Sequence, residues 1–222
     1  RLLSSHVYGF FIAFWTANRF LKKNIFDPLT RTSLAIFGAL LLATGSRTPI
    51  MAMTICLLWL IVSHWNTRSF IALVTAGTAG TLLLLAYPDV VTDRGLSYRP
   101  EIWGKAWQQI LEAPWLGHGY DAPLKIWISA HGNAMADPHN MLLAVLYYCG
   151  AIGLALWLSL YAIALTSAWR MRKQPMTMIA SALLVYGFAA SMTEGGAFIS
   201  RPKEHWFLIW IPMALIAASM LI

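Results

Sequence analysis

The residues best able to do chemistry are one histidine and a few arginines, set between long apolar runs. His139 stands in Asp137-Pro138-His139-Asn140. Asp137 reads as an N-cap and Pro138 as the first helical residue, so His139 is expected in the first turn of the next helix. A neutral imidazole at that helix end could act as a general base. The plainer alternative is an interfacial histidine that only hydrogen-bonds locally. Arg47 lies in Gly45-Ser46-Arg47-Thr48-Pro49, where Thr48 and Pro49 read as N-cap and first helical residue. With so little loop around it, Arg47 must sit close to membrane depth, where a cation is costly and marks a candidate site. It could instead snorkel to headgroups. Arg99 precedes a helical pattern, and a guanidinium fork beside a helix N-terminus suits an anion. Arg94 is close in sequence. Either could also be a solvated cation, or pair with Asp93 or Glu101.

Glu194, in Thr193-Glu194-Gly195-Gly196, could orient His139 or an arginine, or could be a solvated loop carboxylate. Arg201 and Lys203 follow it and could add positive charge. His64, His118, His131 and His205 show no HxxH or HxxxH spacing, and the sequence has no CxxC. A metal site is therefore poorly supported. No nucleotide-binding loop or dinucleotide fingerprint is present, so no cofactor is expected. Cys56 and Cys149 fall inside apolar runs and read as small core residues.

Composition names the scaffold that must position these groups. The 222 residues are 59% hydrophobic and 11% charged, with a net charge of +7. Soluble domains average about 25% charged residues, so a soluble fold lacks the side chains for a solvated surface. The aromatic content and apolar runs exclude disorder. The cations are dispersed between apolar runs, which disfavours nucleic acid as a partner. An all-α, polytopic transmembrane helical bundle remains, with the lipid bilayer as its surroundings.

Seven apolar segments are legible, at 7–17, 33–45, 49–62, 70–87, 141–169, 176–192 and 206–222. The first is short against the roughly 20 residues of a spanning helix. Those at 33–45 and 49–62 can lengthen by borrowing flanking residues, with Arg31 snorkelling. The run from Met141 is long enough to tilt or project from the membrane. The chain divides into helices over 1–87 (about four segments), a loop over 88–138, and helices over 139–222 (about three). It starts at Arg1 with no signal pattern, and reads as a fragment lacking upstream helices.

Taking the connections in alternation, one side holds eight cations and one acid, and the other holds eight of each. The first side is therefore cytoplasmic and the loop faces outward, to the periplasm in a bacterial inner membrane. Residues 100–113 of that loop carry an amphipathic face of Ile102, Trp103, Ala106, Trp107, Ile110 and Leu111, opened by Pro100 and closed by Pro114. Its tryptophans suit a unit resting on the membrane interface.

Four motifs in this order resemble the O-antigen ligase and polymerase superfamily. They are Ser46-Arg47-Thr48 between paired spans, and Arg99-Pro100-Glu101-Ile102-Trp103. Ala113-Pro114-Trp115-Leu116-Gly117-His118-Gly119 follows, and then Pro138-His139-Asn140 with Gly150-Ala151-Ile152-Gly153. The likeness covers roughly residues 30–170 and looks like the C-terminal half of that family. It implies an inverting, metal-independent glycosyltransferase, most like an O-antigen ligase. The donor would be undecaprenyl-diphosphate-linked glycan and the acceptor lipid A-core. By motif matching, Arg47 and Arg99 would bind the diphosphate and His139 would be the general base or a positioner. Arg94, Glu194 and Asn140 would contact substrate. About seven spans are present where ten to twelve are usual in the family. A surface-polysaccharide polymerase or a protein O-oligosaccharyltransferase would carry similar motifs. A transporter or lipid-binding scaffold is the non-enzymatic alternative; transporters tend to place ionisable groups at the midplane rather than at one face.

Overall fold

The structure is a computed structural model that describes residues 2–21, 27–64, 70–71, 74, 77–78, 98–128, 134–194 and 206–221. Most of the expected span at 70–87 lies outside the described residues, as do Arg94, His131, Arg201, Lys203, His205 and the side chain of Glu194. Among the described residues every named element is a helix. These are α1 (Leu2–Leu21), α2 (Pro28–Thr44), α3 (Thr48–Ser63), α4 (Arg99–Ile110), α5 (Met141–Arg170), α6 (Pro175–Glu194) and α7 (Ile211–Ser219). A π-helical turn over Trp206–Trp210 leads into α7. An isolated antiparallel bridge pairs Ile126 with Met135.

Two stretches, Met141–Arg170 and Pro175–Thr193, are long and apolar enough to cross a membrane. Helices α2 and α3, of 17 and 16 residues, do lengthen beyond their apolar runs. α2 takes in exposed Arg31 and starts at Pro28, where the Thr30 hydroxyl donates to the Asp27 carboxylate. α1 corrects the short first segment: it has 20 residues rather than the eleven of the apolar run 7–17. Its polar Ser5 and His6 are buried, so the end of the apolar run did not mark the end of the helix.

α6 is the centre of the bundle, packed against α1, α3, α5 and α7. Small residues allow this, because apolar surface alone does not drive helices together in lipid and close backbone approach must. Ala180, Ser181, Ala182, Ala189, Ala190 and Ser191 are all buried. A side chain at Gly187 would collide with the Leu208 carbonyl. Polar pins set the registers. Trp59 Nε1 donates to Ser181 Oγ at 3.0 Å, and Cys56 Sγ to the Ala182 carbonyl at 3.4 Å. The Tyr186 hydroxyl donates to the His6 carbonyl at 3.3 Å. Both cysteines are free, as expected, with Cys56 buried and Cys149 half-buried.

α5 is 30 residues long, but it breaks at Gly150, whose φ of 64° and ψ of −168° are not helical. A break orphans the groups that would have paired across it. In an unbroken helix Ala151 and Ile152 would donate to Tyr147 and Tyr148. Here the Tyr147 and Tyr148 carbonyls accept from the His118 and Gly119 amides, at 2.8 and 3.0 Å. The Ala151 and Ile152 amides donate to the Pro114 and Trp115 carbonyls, at 2.8 and 3.2 Å. The turn over 114–119 thus gives each of the four orphaned groups a new partner. Gly117 has φ of +70°, and a Cβ on it would lie 2.6 Å from the Cys149 and Gly150 amides. A Cβ on Gly150 would strike the Trp115 backbone.

The first half of α5 stands between two cores. Met141, Ala144 and Val145 join the bundle core, as Trp157, Tyr161 and Ala164 do past the break. On another face, Leu143, Leu146, Tyr147 and Tyr148 pack with Ile102, Ala106 and Ile110 of α4 and with Leu124, Ile126 and Ile128. The first half of α5 therefore joins the 98–128 segment to the bundle.

Candidate active site

At one end of the bundle, the Trp59 and Trp169 rings lie 5.8 Å apart and the Arg172 guanidinium sits 4.9 Å over Trp169. His64, at the C-cap of α3, is near Arg172. Burial holds its imidazole below the ordinary value, a backbone hydrogen bond with Arg172 opposes this, and the Arg172 charge adds to it. The opposite end holds the candidate residues.

Arg47 is the N-cap residue of α3, and its carbonyl accepts from the Met51 amide at 3.0 Å. The expected cap, Thr48, is instead the first helical residue. The Arg47 side chain is exposed. At 1.5 Å per residue, α3 is about 24 Å long, against about 30 Å of hydrocarbon in a bilayer.

Arg99 is the first residue of α4 rather than the residue before it, and α4 ends at Ile110 rather than at 113. Arg99 Nη2 donates to the Thr193 carbonyl at 3.0 Å. Thr193 Oγ1 in turn donates to Thr48 Oγ1 at 3.1 Å. This chain of bonds ties the start of α4 to the last turn of α6 and to the residue after Arg47. One turn along α4, Trp103 Nε1 donates to the Pro138 carbonyl at 3.1 Å. Glu101 pairs with Lys105 at 2.8 Å.

His139 is not in the first turn of α5. It adopts a left-handed φ of 49° one residue before the cap, and its amide donates to Asp137 Oδ1 at 2.7 Å. Asn140 is the N-cap; its Oδ1 accepts from the Leu143 amide at 3.1 Å. Asp137 and Asn140 are both good caps, and the Trp103 bond to the Pro138 carbonyl, from 35 residues away, favours the later start at Asn140. Asp137 then closes an Asx turn in place of a cap. His139 is half-buried on that turn, next to α4. The side-chain oxygen of Asn140 is committed to the cap, which leaves only its NH2 for a substrate.

His118 has a structural task. Its Nε2 lies 2.8 Å from the Gln109 carbonyl, and its ring stacks on Tyr147 with centroids 4.5 Å apart. Among the described residues, no three His, Cys, Asp or Glu side chains gather as metal ligands. Sequence reasoning overlooked Thr193 and Trp103. Thr193 carries no local signal, and neither the motif nor the apolar face that includes Trp103 shows that its indole N–H bonds the Pro138 carbonyl. What this end of the bundle offers is the Arg99 guanidinium bonded to Thr193 and through it to Thr48, the residue after exposed Arg47, and a histidine turn bonded to the same helix that carries Arg99.

The described residues together define a helical protein with two helices long and apolar enough to cross a membrane and with Arg47 and Arg99 at one end of the bundle. Residues 32–158 match the family model described as O-antigen ligase. An O-antigen ligase of Pseudomonas aeruginosa is 52% identical over 217 residues, which is 98% of this chain and 54% of that relative. The chain thus spans about half the length of that relative. No solved structure matches the chain. The chain belongs to the O-antigen ligase family.

Proposed function

We propose that the protein carrying this chain is a glycosyltransferase of the inner membrane. It moves a glycan from undecaprenyl diphosphate to lipid A-core on the periplasmic side. The observation that carries the reading is the Arg99–Thr193–Thr48 chain of bonds beside Arg47, with Trp103 holding the His139 turn. It supports a single site made from three separate motifs. Cations near the hydrocarbon boundary suit the diphosphate of a lipid-linked donor, whose lipid lies in the bilayer while its charge stays at the surface. In this reading, residues 1–87 and 139–222 are the transmembrane parts. Residues 88–138 form the periplasmic unit, packed on one face of the first half of α5.

The reaction is a displacement at the anomeric carbon. His139 takes the proton of an acceptor hydroxyl as its oxygen attacks. The new glycosidic C–O bond forms while the C–O bond to the diphosphate breaks. The electron pair leaves with undecaprenyl diphosphate, whose growing charge Arg47 and Arg99 stabilise. Arg94, Glu194 and the NH2 of Asn140 are further substrate contacts. No metal step enters the scheme.

Reconstitution of the full-length protein with lipid-linked donor and purified lipid A-core tests this. His139→Ala is expected to keep the wild-type unfolding temperature and lose transfer by the ~10²–10⁴-fold typical of a general base. Arg47→Lys should also lower transfer, since a point charge replaces a fork. Wild-type rates from His139→Ala would remove the assigned role. Products on a growing lipid-linked chain, rather than on lipid A-core, would identify a polymerase.

A further inference from the structure

The turn that plugs the break in α5 carries two large apolar side chains the fold does not bury. Trp115 is 70% exposed and Leu116 74%. Neither side chain serves the turn's hydrogen bonding, which comes from backbone groups and the His118 ring, and their exposure shows that packing does not explain them. Their level along α5 is set by those bonds. The Trp115 carbonyl accepts from Ile152, two residues past the break. From Ala151 to Arg170 the lower half of α5 has 20 residues, or about 30 Å at 1.5 Å per residue, which matches the hydrocarbon thickness of a bilayer. Trp169 and Arg170 mark one boundary, as aromatic and cationic anchors do. The turn then lies at the other boundary. The α5 surface just below it is also apolar and exposed, with Ile152 at 51% and Leu156 at 69%. A water-filled surface would leave this stripe uncovered from the turn downward. Lipid covers it without a seam, because the stripe continues the lipid-facing side of a spanning helix.

We propose that the Trp115-Leu116 turn is inserted into the outer boundary of the bilayer, and that its ligand is the lipid leaflet itself. The proposal rests on the membrane reading given above. Inserted there, the turn fixes the depth of the upper half of α5 and of the His139 turn at its head.

The test uses the full-length protein with its native cysteines replaced, in vesicles of phosphatidylethanolamine and phosphatidylglycerol. A cysteine-linked, environment-sensitive fluorophore is placed at Leu116, at Leu156 in the span, and at exposed Lys125 on the outer unit. Quenching by shallow brominated lipids and by aqueous iodide is then compared. The Leu116 probe is expected to lose fluorescence to bromolipid as the Leu156 probe does, and to ignore iodide, while the Lys125 probe responds only to iodide. Iodide quenching at Leu116 like that at Lys125 would overturn the proposal by placing the turn in water. Quenching by neither agent would overturn it by showing that protein covers the turn. A Leu156 probe untouched by bromolipid would remove the spanning helix and the proposal with it, and so marks failure of the membrane reading. If a label at Leu116 disturbs the turn, seen as a lowered unfolding temperature, the same readout at Trp115 decides.

Discussion

Replacing Gly150 with alanine should release the turn over 114–119 from α5, and the structure sets a lower bound on the cost. Two routes are open to the variant. In the first, the break persists. Alanine must then hold a φ of 64° with a ψ of −168°, a region essentially reserved for glycine and costing about 1–3 kcal/mol. Its Cβ must also displace the Trp115 backbone. In the second, α5 straightens. Ala151 and Ile152 regain their helical acceptors, but all four bonds to the turn are lost, a net loss of two bonds at about 1 kcal/mol each. Either route costs about 2 kcal/mol or more, and at 1.4 kcal/mol per decade this is about 30-fold in the local opening equilibrium. Hydrogen exchange measured by mass spectrometry on peptides covering His118 and Gly119 reads that opening directly. Protection there should fall about 30-fold or more, while peptides from α6 keep theirs. Unchanged protection at His118 and Gly119 would refute the bond exchange on which the account of α5 depends.

The remaining predictions concern the ties around the site. Trp103→Phe keeps the apolar face of α4 but removes the donor to the Pro138 carbonyl. It should lower transfer by the full-length protein while costing only about 1 kcal/mol of stability, and unaltered kinetics would show that the bond does not position His139. Thr193→Val removes the hydroxyl that meets Thr48 but keeps the carbonyl that Arg99 uses. A double-mutant cycle with Thr48→Val should return a coupling near 0.6 kcal/mol, ordinary for a hydrogen bond between membrane helices; additivity would deny the contact. His64 titrates below its ordinary value in the folded protein, so the unfolded state binds more protons as pH falls. Its contribution is present above the unfolded pKa of about 6.5 and is lost as pH drops through the lowered folded value. Unfolding temperature should thus decline from pH 7.5 towards pH 5, and His64→Gln should flatten part of that decline.

The parts legible from sequence were those with local causes. Apolar runs located α2, α3, α5 and α6, and periodicity located α4. The cationic turn at Arg47 and the helix start at Arg99 followed from cap and proline chemistry. The misses share one kind of cause, a partner distant in sequence. His139 fell outside α5 because Asp137 and Asn140 are both good caps, and the choice was made by Trp103, more than thirty residues away. The break at Gly150 was hidden for the same reason: Gly150-Ala151-Ile152-Gly153 sits inside an unbroken apolar run, and only the turn over 114–119 makes a non-helical glycine there tolerable. The link from Arg99 to Thr193 spans three helices and leaves no trace in spacing.

The central place of α6 has a consequence for biogenesis. This helix is synthesised before α7, yet the Gly187 flank that gives it a close neighbour is covered by Leu208, at the entrance to α7. When α6 leaves the ribosome, the surface around Gly187 therefore faces lipid or the insertion machinery. Its buried Ser181 and Ser191 already bond to their own helix, at Met178 and Phe188, so α6 can wait in the bilayer without unmet polar groups. Closure of this side of α6 then depends on the later segment that carries Leu208. A chain stalled before residue 206 would hold a fully inserted α6 with an open side, the kind of surface by which a membrane chaperone or protease distinguishes an unfinished protein from a complete one.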